Sequence, residues 1–463
     1  MNKLTLLAAA LILAGCASVP EIDPSTIPAT PAAFKEGDGR WTRAAPAEAQ
    51  PRGEWWKTFN DPVLDDLVAR ADKGNTELQV AAARLAQAQA IYKSASADRW
   101  PTLGIGGGAF REKGLPDLAS GAPPVTITSV GATIGYEADL FGRIANAAHA
   151  AKLDAQSREA LLQSTRLAVQ STVAQTYLAL RATDAERALV RGTVTTYLET
   201  LKLTERRFRA GDVAELDVSR ARTEVAATES DALALDRRRA ELEHALAVLV
   251  GEPASTFQLR EAAWDTALPI IPAGVPGTVL ARRPDVSAAQ LSLLAAQQRV
   301  GVAKAAWFPN VVLTASGGQA SADISDLFKW SARAWTVGAL LSMPIFDGGR
   351  REAGVDNANA EMDAALARYR EQVLTAFRDV EDQLAALHLL AEQAEAQGRA
   401  VNSASRTTAL SDTRYRNGLV SQLELLDAQR SELRNRRQAL AVRSAQYQAT
   451  VGLVKALGGG WGA

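Results

Sequence analysis

The sequence predicts a mainly α chain with a transmembrane β part, built twice over. Three observations carry that reading. The segment Arg207-Phe208-Arg209-Ala210-Gly211-Asp212-Val213 returns 207 positions later as Arg414-Tyr415-Arg416-Asn417-Gly418-Leu419-Val420. Each copy interrupts a long Ala-, Leu-, Arg- and Glu-rich run with one glycine, and a glycine between helical stretches reads as a C-cap and tight turn. No proline occurs from 125 to 252 or from 345 to 463, so each run can form one long helical hairpin. Two segments of period-two alternation precede each hairpin, as strands require.

A chain of 463 residues could hold two or three ordinary domains, but the repeat indicates one duplicated architecture. The expected division is a signal peptide over 1–15, a Pro-rich tether over 16–60, a first repeat over 61–278 and a second over 279–463. Net charge is −1 with both signs interspersed, which points away from a nucleic-acid partner. The single cysteine excludes an intrachain disulfide and a thiolate metal cluster.

That cysteine has a telling position. Met1-Asn2-Lys3 is a short basic start, Leu4 to Leu13 is apolar, and Leu13-Ala14-Gly15-Cys16 follows. The apolar run is about 10 residues, too short for the ~20 that span a bilayer, and reads as a cleaved signal peptide. Small residues before Cys16 resemble the bacterial lipobox, which implies cleavage there and a covalent lipid on Cys16. An ordinary signal peptide with an incidental cysteine is the alternative.

Residues 17–51 hold six of the 18 prolines and little apolar periodicity, as an extended tether would. Asp61-Pro62 opens a helix expected to run to about Arg99, where Trp100-Pro101 stops it. From 102 the period changes. Leu103, Ile105, Gly107 and Ala109 alternate with Thr102, Gly104, Gly106 and Gly108; Val130, Ala132, Ile134, Tyr136, Ala138 and Leu140 alternate with smaller, polar or acidic residues. Such strands fit a membrane barrel with lipid outside and water within, and equally a soluble sheet with one wet face.

The second repeat follows the same plan. A helix is expected from about Val279 to Ala306, then a strand from Asn310, a loop from Gln319 to Ala334, and a strand carrying Trp335, Val337, Ala339, Leu341, Met343 and Ile345 on one face. Aromatic residues at strand ends (Trp100, Phe110, Phe141, Trp307, Phe328, Trp330, Trp335, Phe346) suit interfacial girdles. Strand pairs are expected over 102–141 and 310–346. Four strands cannot close a barrel with a lumen, so several chains must share one.

The long helices follow at 143–250 and 350–457. Val173, Tyr177 and Leu180 match Val380, Leu384 and Leu387, and Leu366, Val373, Phe377, Val380, Leu384 and Leu387 step by 7, 4, 3, 4 and 3, a coiled-coil seam. Arg143 to Arg209 amounts to ~100 Å of helix at ~1.5 Å per residue. A Pro-rich excursion over 251–278 separates the return leg from the next repeat, and is expected to lie outside the helical wall.

Several stretches together resemble a known family. They are Trp55-Trp56 with Asp61-Pro62, Asn75 with Ala82-Ala83-Arg84-Leu85, Leu280-Ala281-Arg282-Arg283-Pro284-Asp285-Val286, Ala306-Trp307-Phe308-Pro309-Asn310, and the two glycine turns. Over essentially its whole length the chain resembles TolC-type outer-membrane efflux channels, in their lipoprotein (NodT/OprM-like) branch. The resemblance implies a homotrimer with a 12-stranded β-barrel in the outer membrane and a 12-helix α-barrel tunnel in the periplasm. It implies partners as well, a periplasmic adaptor and an inner-membrane RND-type pump, and passive conduction of small toxic molecules. The adaptor-contacting tips would be Gly211, Asp212 and Val213 with Gly418, Leu419 and Val420. Glu424 and Asp427, three apart and on one helix face, fall where the family has its acidic constriction. Asp217 matches an acidic position that in the type member pairs with a basic residue two past the second glycine; here that residue is Val420, so this latch is absent.

Other chemistry finds no support. Gly104-Ile105-Gly106-Gly107-Gly108-Ala109 fits a dinucleotide-binding pattern but has Pro101 ahead and no helix behind. His149, His244 and His388 have no ligand spacing, and no P-loop or Gly-x-Ser-x-Gly occurs, so an enzyme is not expected, nor a cofactor or metal. The rival is a periplasmic adaptor lipoprotein, which would have one hairpin flanked by small β modules.

Overall fold

The computed structural model describes residues 19–37, 53–113, 124–266, 268, 269 and 276–459. The expected signal peptide, Cys16 and residues 38–52 lie outside the described residues. In chain order the elements are α1 (Pro62–Gly74), α2 (Thr76–Ala97), β1 (Thr102–Glu112), β2 (Val125–Ala138), α3 (Arg143–Ala210), α4 (Glu215–Val250), α5 (Pro276–Arg282), α6 (Pro284–Ala305), β3 (Asn310–Ser321), β4 (Arg333–Ser342), α7 (Arg350–Arg416) and α8 (Gln422–Ala456). The long helices α3 and α7 have 68 and 67 residues.

Two helices expected to be continuous are each broken in two. Asn75 is extended (φ −67°, ψ 127°). Its side-chain oxygen accepts from the N–H groups of Glu77 and Leu78 at 2.9 and 3.1 Å, and its amide donates to the Leu249 carbonyl at 2.9 Å. Asn75 thus closes α1 and caps α2 at the N-terminus. In the second repeat Pro284 pushes Arg283 off the helical conformation, which separates α5 from α6. Strand β4 begins at Arg333 and stops at Ser342. Met343 and Ile345 fall beyond it because Pro344 has no N–H for a ladder.

The chain forms two compact units, and they are not the two repeats. One takes residues up to Ile27 with Arg84–Glu159 and Ala288–Glu371; the other takes Pro28–Ala83, Ala160–Ser287 and Gln372 onward. Each draws on both halves of the duplication.

The first unit holds a four-stranded antiparallel sheet in the order β1-β2-β3-β4. Its strand-to-helix corners are fixed by two aspartates. Asp139 accepts from the N–H groups of Ile144 and Ala145 at 3.1 and 2.7 Å, at the start of α3. Asp347 accepts from the N–H and Nε of Arg351 at 3.2 and 2.6 Å, at the start of α7. Carboxylates there meet the unpaired N–H groups and positive end of the helix dipole. Phe141 and Phe308 stack with centroids 4.7 Å apart.

The second unit contains the main core. Leu64, Leu67 and Val68 of α1 meet Val173, Tyr177 and Leu180 of α3, Leu246 and Val250 of α4, and Val380 and Leu384 of α7, all buried. The seam residues expected on α3 and α7 therefore do pack inward. The Pro-rich tether is more than a spacer: Phe34, Trp55, Trp56 and Phe59 lie in this same core, and the N–H groups of Lys35 and Glu36 donate to Glu381 at 2.7 and 2.9 Å. Proline content reports a stiff backbone and says nothing of where its aromatic neighbours are buried. Gly74 and Gly251 meet backbone to backbone, a Cβ on Gly251 falling 2.1 Å from the Gly74 carbonyl oxygen.

Candidate functional site

The sheet register assembles the expected alternation into two contrasting faces. Leu103, Ile134, Ala315 and Val337 form one cross-strand row, and Ile105, Ala132, Gly317 and Trp335 the next. The rows between them run Gly104, Thr133, Ser316, Thr336 and Gly106, Gly131, Gly318, Ala334. One face is thus apolar across all four strands and the other small or polar. Among the described residues nothing covers the apolar face: Ile105 is 85% exposed, Val337 75% and Trp335 77%. Edge strands β1 and β4 have no outer partner among the described residues. Phe110, expected in an aromatic girdle, instead shares the face of Gly104, Gly106 and Gly108, opposite Ile127. Among the described residues no helix is long and apolar enough to cross a membrane.

The second unit holds both glycine turns. Gly211 and Gly418 take positive φ, 85° and 72°, and no atom lies within 4 Å of where a Cβ would stand. The N–H of Asp212 donates to the Arg207 carbonyl, and that of Leu419 to the Arg414 carbonyl, both at 2.9 Å, which closes matching Schellman caps. Glycine is needed here for backbone conformation alone. The turns differ afterwards. Ser421 caps α8 by accepting from the Glu424 N–H at 3.4 Å, whereas Ala214 offers α4 no side-chain cap. Leu419 stands 68% exposed at the second tip.

Glu424, Asp427 and Asp217 each carry a basic partner that sequence reading did not supply. Glu424 lies 3.6 Å from Arg414, Asp427 3.4 Å from Arg430, and Asp217 3.7 Å from Arg220. Two of these are i, i+3 pairs on one helix, a spacing that could have been read in advance. Arg430 also bonds Glu224 of α4. Farther along α8, Arg437 bonds Glu186 of α3 at 2.7 Å and Asp231 of α4 at 2.9 Å. These charges line a cavity of about 510 Å³ with Tyr197. Desolvation pushes the Tyr197 hydroxyl up to about 12, so it stays protonated.

Within the chain the two tips are tied together. The buried Tyr415 has its hydroxyl 3.2 Å from that of Thr204. Arg207 lies over the Tyr415 ring, 4.6 Å from its centroid, and donates to the Arg416 carbonyl at 3.1 Å.

Sequence spacing also missed two arginine clusters. Arg283, buried, donates to the Ala456 carbonyl at 3.0 Å, to Asp285 at 2.7 Å and to Asp379 at 3.2 Å. Asp184, buried on α3, meets Arg181, Arg187 and Arg239 at 3.1, 3.5 and 2.8 Å. Arg181 and Arg239 continue to the carbonyls of Arg260 and Leu259 at 2.8 and 2.6 Å, which pins the Pro-rich excursion to the long hairpin.

An amphipathic membrane sheet on a chain of paired long helices defines an outer-membrane channel of the efflux type. Residues 67–252 and 275–459 match the profile described as "Outer membrane efflux protein", and the chain belongs to that family. It is 35% identical over 460 residues to a solvent efflux pump outer membrane protein, SrpC, of Pseudomonas putida, covering 98% of this chain and 97% of that one. It is 34% identical over 469 residues to the pyoverdine export outer membrane protein OpmQ of Pseudomonas aeruginosa, covering 100% and 97%. Among solved structures, the outer-membrane channel OprN superposes with a TM-score of 0.90 at 30% identity, covering 96% of this chain and 100% of that one. The adaptor reading falls: two hairpins follow two strand pairs of one sheet, where an adaptor has a single hairpin. Members of the family are transport proteins of the outer membrane.

Proposed function

We propose that the chain is the exit duct of a tripartite efflux system, passively carrying small toxic molecules from an inner-membrane RND-type pump and a periplasmic adaptor to the outside. It performs no catalysis. The observation that carries this reading is the sheet: one uncovered apolar face, one polar face and two open edges. In lipid every backbone N–H and C=O must find a partner, so the edges have to be paired by other copies. Three copies supply 12 strands, enough to enclose water, and six hairpins prolong the duct as an α-barrel in the periplasm. Relatives of nearly equal identity are named for a solvent and for pyoverdine, which fits a cargo chosen by the pump.

Cys16 would bear covalent lipid once the leader is cleaved. One acyl set anchors only modestly, and the barrel would supply the rest of the hold. The tips Gly211-Asp212-Val213 and Gly418-Leu419-Val420 are where adaptor hairpins would dock; the free space at both glycines and the exposed Leu419 fit that role. Glu424 and Asp427 would form the periplasmic constriction. Three copies bring six carboxylates together, which attracts cations, and the neighbouring Arg414 and Arg430 temper the repulsion. With Val420 in place of a basic residue, Asp217 takes no part in a latch across the turns and pairs along its own helix.

Purification from the outer membrane with crosslinked partners tests the whole proposal. Expected are a heat-labile trimer, an adaptor and a pump in the crosslinked fraction, steps of ion conductance in planar bilayers, and palmitate label that Cys16→Ala abolishes. A monomer that conducts nothing and brings down no adaptor would overturn it.

A further inference from the structure

The hairpin tips duplicate each other in sequence but not in burial. Displaced by the repeat, Thr204, Arg207, Phe208 and Arg209 of α3 correspond to Ser411, Arg414, Tyr415 and Arg416 of α7. The chain uses half of this set. Thr204 and Arg207 on α3 receive Tyr415 and Arg416 of α7, and Tyr415 is left only 2% exposed. In the other half Ser411 is already buried, but Phe208, the counterpart of Tyr415, is 42% exposed, and Arg414, the counterpart of Arg207, is 57% exposed and stacks on no ring among the described residues.

A closed ring of several copies alternates first and second hairpins. Every contact of α3 with α7 inside a chain is then followed by one of α7 with the α3 of the next chain. The side by which α7 touches α3 is that of Tyr415 and Arg416, and on α3 this side carries Phe208 and Arg209. The side by which α3 touches α7 is that of Thr204 and Arg207, and on α7 this side carries Ser411 and Arg414. Head-to-tail contacts of this kind close into rings.

We infer that Arg414 of one copy lies over the Phe208 ring of the next copy and donates to its Arg209 carbonyl. The contact made within the chain by Arg207, Tyr415 and Arg416 is thereby repeated between chains. The inference rests on the shared-barrel reading above. Arginine over an aromatic face is favourable in either place. The two seams are unequal, however. Phe208 has no hydroxyl, so the Thr204–Tyr415 hydrogen bond has no equivalent at Ser411. Arg414 is also shared with Glu424, 3.6 Å away in its own chain, an exposed pair that contributes little and releases the guanidinium easily. The seam between chains is thus the weaker of the two, and it shares one arginine with the acidic constriction.

The test places photoreactive p-benzoylphenylalanine at position 208 of the full-length chain and irradiates outer membranes. Expected products are dimers and trimers on denaturing gels, with the probe joined to a peptide spanning 408–416 of another copy. The same probe at position 415 should link to α3 of its own chain and leave monomer mobility unchanged. A third placement, at 414, should reach 204–210 of another copy, and serves if the probe at 208 disturbs assembly. Native mass spectrometry of the purified protein separates the two ways of failing. A trimer whose probes at 208 and 414 link only within one chain, or not at all, overturns the tip contact and leaves the shared barrel standing. A monomer overturns both.

Discussion

Arg283 is the residue for which physical cause and sequence signature meet. It stands in Arg282-Arg283-Pro284-Asp285, where the proline forces a break between α5 and α6. The guanidinium turns inward to an α8 carbonyl and two aspartates. Arg283→Gln would leave Asp285 and Asp379 without their shared cation, and losing one member of a buried ionic group costs on the order of 3–5 kcal/mol. A thermal or denaturant melt checks this; a loss under about 1 kcal/mol would show the cluster to be dispensable. The motif was legible in the chain, its partners were not. Asp379 and Ala456 lie 96 and 173 positions away, and no periodicity encodes separations of that size. Glu424 and Asp427 were legible as a pair for the opposite reason, their spacing of three. Replacing them by Gln and Asn should lower cation over anion preference in planar bilayers, since their carboxylate charge is gone and Arg414 is left without Glu424, while Arg430 keeps Glu224. Unchanged selectivity would contradict a constriction at these residues.

At the scale of elements, long helices and hairpin turns were the easiest to anticipate. A proline-free run of some 67 residues has few alternatives, and Gly211 and Gly418 mark the bends plainly. Helix breaks were harder. Asn75 looks like any polar residue in an Ala-rich run, and only its bonds to Glu77, Leu78 and Leu249 explain why the helix stops there. Pro284 could have been read as a break but for the strong apolar pattern on both sides. Glycines with similar φ have different reasons to be glycine, and substitution should separate them. Gly418→Ala has open space around it and pays only for left-handed backbone, about 1 kcal/mol. Gly251→Ala pays that and also drives a methyl into the Gly74 carbonyl, so its loss should be at least twofold larger. Equal melting temperatures for the two variants would refute the distinction.

For the whole molecule, duplication was visible in sequence while the compact units were not. Strand pairs from both repeats join into one sheet through β2 and β3, and hairpins from both repeats share the other core. The chain therefore divides by environment, apolar sheet against helical packing, rather than by ancestry. What sequence alternation left open was the choice between a soluble sheet and a membrane sheet. The register decides it by aligning apolar residues across all four strands, on a face that no described residue covers.

Single cysteines along β4 test that conclusion directly in intact outer membranes, with the parent chain as the background for Cys16. A water-soluble thiol reagent should label Thr336→Cys and Gly338→Cys and spare Val337→Cys and Ala339→Cys. Uniform labelling of all four, or the reverse alternation, would contradict a β-barrel with lipid on the apolar face and water within.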